Sequence, residues 1–517
     1  MFPAEAMLLE RWYDLDQPHA REILELFERL SDEELLERPH VLTGAAIAAS
    51  MLSGSHAEGG DQAALLERYR YVRARQEILT ARQNSTLAAR WFVTLMIGAR
   101  WEGRFDNAVL ISEKLGNLTR DAGLRATVTR HIRDDLDRPG HVALQRGITA
   151  LLAGSPDAAM QLFTESYRDG GDPPFRHFAK VNAAANAAML AAIEGYPDAA
   201  CAWIDRAGDP NALPGWCRDL ITIGSTIAST VLATDALDLE AADKHAQHLA
   251  GAGDRFELWP YQLYALTQYD LARNEPVSAY QRFKRIGFER GINIAVEPIA
   301  DHIVFRAYLD TLVAGGEGGL VIRLTKDLGS PIRSLVPVAR THLLAGNDIA
   351  AARVSARAMR RVLAPLKDMW EATIVHAIAR MRLGETDAAL RSFTIVTAGE
   401  PAALPSILAR QRPQDVRDLF ALAGLEFDSQ FDHTSPAGIE LIELTEREKV
   451  ILQHLVDRRT IAEIATTDFT SVNTVKTHVK RIYKKLGVSN RLEAAALANQ
   501  QGLVRWHHND GIPGTET

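Results

Sequence analysis

The sequence predicts an all-α protein in two parts: a helical-hairpin, tetratricopeptide-like solenoid followed by a separate four-helix domain. Three observations carry this. Up to about Leu425 the chain is rich in Ala, Leu, Arg and Glu, with apolar residues three and four apart and few Val-Ile-Thr runs of strand length. Within that stretch one turn signature recurs. After Leu425 the segment EFDSQFDHTSPAG loses helical periodicity, and a new set of helix-start signals begins beyond it.

The recurring signature aligns RWEGRFDNAVLI, LLAGSPDAAMQLF, AIEGYPDAACAWI, LARNEPVSAYQRF, LLAGNDIAAARVS and MRLGETDAALRSF on Gly103, Gly154, Gly195, Asn274, Gly346 and Gly384. Five positions after each anchor stands an alanine: Ala108, Ala159, Ala200, Ala279, Ala351 and Ala389. The physical reading is a helix that stops at a residue tolerant of left-handed backbone, a tight turn, and a second helix whose alanine admits its partner closely. Two long gaps between anchors imply degenerate members near TDALDLEAADKHA and VAGGEGGLVIRL, giving a unit of about 36 to 50 residues. An irregular bundle of Ala-rich hairpins is the alternative, since Gly turns join helices in any all-α fold.

The resulting organisation is residues 1–425 as a helical-repeat sensor or interaction domain, 426–439 as linker, 440–505 as the four-helix domain and 506–517 as a disordered tail. The N-terminus has acidic residues where an export signal would be basic, and no stretch is apolar enough to span a bilayer, so a cytoplasmic protein without membrane contact is expected. Cys201 and Cys217 are too few for a disulfide scaffold or a four-ligand zinc site and read as buried small hydrophobes. The net charge is −8, yet residues 440–505 hold 11 Lys and Arg against 8 Asp and Glu, so the acidity lies in the body.

Four helix starts mark the C-terminal domain. Thr445 with Glu448, Thr460 with Glu463 and Asn490 with Glu493 each place a capping side chain three residues before a glutamate, and Ser471 caps the third helix. That helix, Val472 to Leu486, has two faces. Val472, Val475, Val479, Ile482 and Leu486 recur at the spacing of a buried stripe, while Asn473, Lys476, Thr477, Lys480 and Lys484 lie opposite. With Arg481 and Lys485 the helix carries five positive charges and no acid, which fits a major groove as well as it fits a solvated face.

The residues Thr445, Arg447, Glu448 and Leu452, then Glu463, Ile464 and Ala465, then Ser471, Thr474, Val475, Lys476 and His478, and finally Ile482, Lys485, Leu486, Val488, Asn490, Arg491, Glu493 and Ala494 fall in one register. This pattern resembles the LuxR/GerE helix-turn-helix regulators. The resemblance implies that the third helix enters the major groove of double-stranded operator DNA, with Lys476, Thr477 and Lys480 toward base edges. Ser471, Thr474, Arg481, Lys484 and Arg491 are then the phosphate contacts. It also implies a homodimer on DNA through the fourth helix, where Leu492, Ala495, Ala496 and Leu497 lie near one side, and contact with RNA polymerase. Three positions depart from the pattern: Arg458 stands where Gly is usual, Asp468 where Leu is usual, and Thr470 where Ile or Val is usual. The first predicts a frayed helix end, the others a smaller or weaker core at the turn.

The body resembles the repeat region of the large MalT-type members of that family, without the ATPase module that normally precedes it: no Gly-Lys dipeptide occurs, so no phosphate-cradling loop is expected. No nucleophile elbow, zinc-protease helix or Cys-His arrangement is present, and neither a catalytic activity, a metal nor a cofactor is expected. The repeats are expected to sense an effector or protein partner. The rival reading is an interaction scaffold whose basic helix meets an acidic protein surface.

Overall fold

The computed structural model describes residues 17–52, 68–69, 71–72, 75, 86–120 apart from 102, 140–170, 178–252 apart from 214, 257–290, 303–327, 332–360, 365–427, 439, 441, 444–500 and 503. Every regular element among them is a helix. The tail 506–517, and residues 428–438 of the linker, lie outside the described residues.

The repeated turn is built as its residues require. Gly103, Gly154, Gly195, Gly346 and Gly384 all have φ between 71° and 92°, and Asn274 has φ 60°, the left-handed region that only glycine enters without steric cost and asparagine enters cheaply. At each, the two orphan carbonyls of the preceding helix are taken up from beyond its end. Gly154 N donates to Leu151 O at 3.1 Å and Ser155 N to Ala150 O at 2.8 Å, and Gly384 and Glu385 repeat the pair on Met381 and Arg380. A Cβ at Gly103, Gly154, Gly346 or Gly384 would meet nothing within 4 Å, so backbone conformation and not space makes glycine the residue there. The alanines five positions on, Ala108, Ala159, Ala200, Ala279, Ala351 and Ala389, are each 0% exposed.

The two degenerate members fall where the gaps require them. Leu237 takes φ 57° and is followed by buried Ala242, and Gly316 takes φ 81° and is followed by buried Val321. Successive turn residues then pair helices such as His141–Leu152 with Pro156–Asp169 and Leu366–Arg382 with Thr386–Gly399. Proline opens several of the second helices, where its missing N–H is not needed.

The chain separates into two compact units. The first comprises residues 1–230 and 244–262. Its core gathers Phe27, Leu35, Leu42, Met96 and Leu115, and Arg100 is buried with its guanidinium on Glu257 at 2.9 Å and on the Gln145 carbonyl at 2.9 Å. The expectation for the cysteines holds for one of them. Cys217 is buried, which pushes its thiol up to about 11, whereas Cys201 is exposed on the helix Pro197–Ala207.

The second unit comprises residues 231–243 and 263–517. Its repeats bury a charge network that the sequence did not announce. Arg306 reaches Asp310 at 2.9 Å, Glu371 at 2.7 Å and Asp368, while Arg340 reaches Asp310 at 2.8 Å and Glu371. Arg410 lies 3.4 Å from Glu371, and Lys367 pairs with Asp235. Burial alone would raise the Asp310 and Glu371 carboxyls, but the three arginines outweigh it and hold both below the usual carboxylate range. Ile439, which the sequence assigns to the linker, is 4% exposed and sits against Gly318, where any side chain would overlap it. No helix among the described residues is long and apolar enough to cross a membrane.

Candidate nucleic-acid interface

The C-terminal helices run Glu446–Val456, Ile461–Thr467, Val472–Leu486 and Arg491–Gln500. Their starts are fixed by the side chains that the sequence marked. Thr445 and Glu448 form a reciprocal capping box, Glu448 N donating to Thr445 Oγ1 at 3.2 Å and Thr445 N to the Glu448 carboxylate at 2.8 Å. Thr460 and Glu463 repeat it. Ser471 Oγ accepts from Thr474 N at 3.1 Å, and Asn490 Oδ1 from Glu493 N at 2.9 Å. Each such cap is worth about 1 kcal/mol. The Glu493 carboxylate reaches one residue beyond the N-cap, to Ser489 N at 2.8 Å.

Three of these helices close a small core of Ile451, Leu452, Leu455, Ile464, Val475, Val479, Ile482 and Leu486, to which Ala494 and Ala498 of the fourth helix add. Four of the five apolar positions assigned to the third helix's stripe are therefore buried. Val472 is not: as the first residue of the helix it lies past the core's edge and is 42% exposed. Glu448 is buried beneath the third helix and receives Lys485 Nζ at 2.7 Å. Burial acts to raise its carboxyl, but the bonds from Lys485 and Thr445 prevail and hold it below the ordinary glutamate value. Lys485 is thus a structural cation, although it belongs to the basic run.

The other cations of that run stand apart. Lys476, Lys480, Arg481 and Lys484 are exposed, and among the described residues none has an ion-pair partner. Lys476, Lys480 and Lys484 recur every fourth residue, about 6 Å apart along one side of a helix about 22 Å long. Thr477 is exposed, with Oγ1 donating to Asn473 O at 2.9 Å, which leaves its methyl and a lone pair outward. Ser471 and Thr474 share a hydroxyl contact of 2.8 Å at the exposed N-terminus of the helix, the end whose free N–H groups favour anions. Arg491 is placed differently: half-buried, its Nε donates to Leu455 O at 2.8 Å, tying the fourth helix to the end of the first. A phosphate contact from Arg491 would have to compete with that bond. On the fourth helix Leu492 is 82% exposed and Ala496 is exposed, Ala495 is half-buried, and Leu497 packs against the domain's own core.

The three departures in the turns have particular outcomes. Arg458 adopts φ 61°, yet the helix end is not frayed: Arg458 N donates to Leu455 O at 3.2 Å and Arg459 N to His454 O at 3.0 Å. The same pair of bonds closes the second helix, Phe469 N to Thr466 O and Thr470 N to Ala465 O, with Phe469 at φ 50°. Left-handed backbone costs a residue with a side chain about 1–2 kcal/mol. Asp468 stands, its side chain buried, where an apolar residue was expected. Its side chain is 8% exposed and lies 3.4 Å from both the Arg447 guanidinium and His454 Nε2, so a polar cluster fills the turn. Thr470 is half-buried beside it.

Two capped helices joined by a tight turn, the second carrying unpaired cations on its outer face, define a helix-turn-helix module. Residues 443–498 match the family model described as bacterial regulatory proteins, luxR family. The C-terminal domain is a luxR-family helix-turn-helix domain. It is 43% identical over 61 residues to a probable transcriptional regulatory protein NarL of Mycobacterium tuberculosis, a match covering 12% of this chain and 28% of that protein. The chain is 37% identical over 76 residues to the transcriptional regulatory protein LiaR of Bacillus subtilis, covering 15% and 36%. The CsgBAC operon transcriptional regulatory protein of Escherichia coli shares 48% over 56 residues, covering 11% and 26%. The chain thus spans at most 36% of the length of these relatives.

Proposed function

We propose that the chain is a transcriptional regulator that sets the third helix of its C-terminal domain into the major groove of double-stranded operator DNA. The observation that carries this is the exposed row of Lys476, Lys480, Arg481 and Lys484, which no carboxylate of the described residues neutralises. In water such a row is costly to gather and gains most from a polyanion, whose condensed counterions it displaces. Lys476, Thr477 and Lys480 face base edges, Ser471, Thr474, Arg481 and Lys484 the phosphates. Exposed Leu492 and Ala496 support a homodimer through the fourth helix, so that two copies read two half-sites. The repeats receive an effector or protein partner, and promoter-bound dimers meet RNA polymerase. No catalytic step is assigned to the chain.

The test is a titration of the purified chain against random duplex, and against duplex recovered from a random pool, at several salt concentrations. The expected result is tighter binding to the recovered duplex, with log affinity falling linearly in log salt for both. Absence of salt-sensitive binding to either overturns the proposal in favour of a protein-binding scaffold.

A further inference from the structure

Besides its cations, the tip of the module exposes two apolar side chains that its own core does not use. Phe469 is 98% exposed and Val472 42% exposed, and they flank Ser471, the N-cap of the third helix. Neither position is a loose loop. Phe469 N and Thr470 N are bonded back to the second helix at 3.3 and 2.9 Å, and the carbonyl of Asp468 accepts from Arg447 at 3.2 Å. The backbone therefore holds the phenyl ring out on a fixed stem, in a left-handed conformation that glycine would adopt without strain. An aromatic ring kept outward against both strain and water exposure points to a contact made with something else.

The surroundings select the occupant. Ser471 and Thr474, two and five residues on in sequence, are exposed and polar, and Lys476, two residues further, is exposed and cationic. In helix-turn-helix readers the N-terminal residues of the second helix are the ones that approach base edges. On the major-groove edges of the four base pairs the apolar group is the thymine 5-methyl, and phenyl and aliphatic side chains are among those that meet it.

We propose that Phe469, flanked by Val472, reads a thymine methyl at the border of each half-site, as a specificity residue outside the polar row of Lys476, Thr477 and Lys480. This rests on the DNA-reading function proposed above.

The experiment uses the full chain and the duplex recovered from a random pool, in which each thymine is replaced in turn by deoxyuridine, a change that removes only the methyl. At one symmetric position the wild-type chain should lose affinity about fourfold, the factor for one methyl-sized apolar group taken from water. Phe469→Gly should bind the thymine and uracil duplexes equally while its melting temperature is unchanged or higher, since strain is relieved. Phe469→Asn, which tolerates the left-handed backbone, should behave likewise and stands in should the glycine variant unfold. Equal uracil profiles for wild type and both variants overturn the inference, as does a variant that weakens binding to all duplexes alike. If the wild-type chain binds no duplex, it is the DNA-reading proposal itself that fails, a result distinct from either.

Discussion

The second unit of this protein contains two groups of arginines and lysines with opposite fates. In the repeats Arg306 and Arg340 are buried and Arg410 is half-buried, and the three are matched by Asp310, Asp368 and Glu371, so the cluster sums to no charge. In the C-terminal domain Lys476, Lys480, Arg481 and Lys484 are exposed with no partner among the described residues. The difference separates charge that specifies a packing from charge held for an external ligand. A buried ion network gains little over apolar packing but becomes very costly when one member is lost, and an exposed cation is worth almost nothing to stability. Mutations in the two groups should therefore fail in different assays.

The largest effect is expected at Glu371. It accepts from Arg306, Arg340 and Arg410 and is 0% exposed, so Glu371→Ala takes a partner from each of three guanidinium groups and leaves one positive charge of the buried cluster uncompensated. The expected loss is about 3–5 kcal/mol of unfolding free energy, read by urea denaturation of the full chain. Binding of the recovered duplex per folded molecule should be unchanged. A loss under 1 kcal/mol would mean that the network is not closed in solution.

Next come the lysines, which should leave denaturation curves in place and move affinity. Lys480 lies mid-helix, and Lys480→Ala should cost ~1–3 kcal/mol on the recovered duplex, relax the preference at one base pair and affect random duplex less. Lys484 sits in the last turn. Lys484→Ala should weaken both duplexes alike and lower the salt slope by about one unit. Equal losses on the two duplexes for Lys480→Ala, with base preference intact, would remove it from the reading set.

What the sequence showed of these two regions follows from the range of the interactions. Capping is decided within four residues, so Thr445, Thr460, Ser471 and Asn490 were all legible as helix starts. The repeat was legible through a turn residue and an alanine five positions later. It faded where Leu237 took the left-handed turn and where Val321 replaced the alanine, because neither residue type signals its role. The buried network was invisible because Arg306 and Glu371 are 65 residues apart, and each alone looks like one more charge on a helix. At the interface the error was one of ends. A periodic stripe has no means of showing that the core stops short of Val472, nor does it show that Lys485 turns inward to Glu448 or Arg491 back to Leu455.

The smallest expected effect concerns the turns, where Gly154 in the body and Gly487 after the third helix leave the left-handed position to glycine and Arg458 and Phe469 do not. Gly154 and Arg458 hold the same left-handed position at a helix end, closed by the same pair of backbone bonds. Arg458→Gly should remove a strain of about 1–2 kcal/mol, offset by the 0.5–1 kcal/mol that glycine's greater freedom in the unfolded chain costs. The net is a gain of about 0.5–1 kcal/mol, seen as a higher melting temperature of the C-terminal domain. Gly154→Ala, which adds a Cβ where nothing crowds it, should instead destabilise by a similar amount, because conformation alone sets the cost there. Arg458 is exposed and lies in the turn before the second helix, away from the row on the third, so the gain in stability should come with base preference unaltered. Loss of that preference in Arg458→Gly would show that the arginine, too, is held in a strained backbone for the sake of DNA, and that the division between packing charges and reading charges runs through the turns as well as the helices.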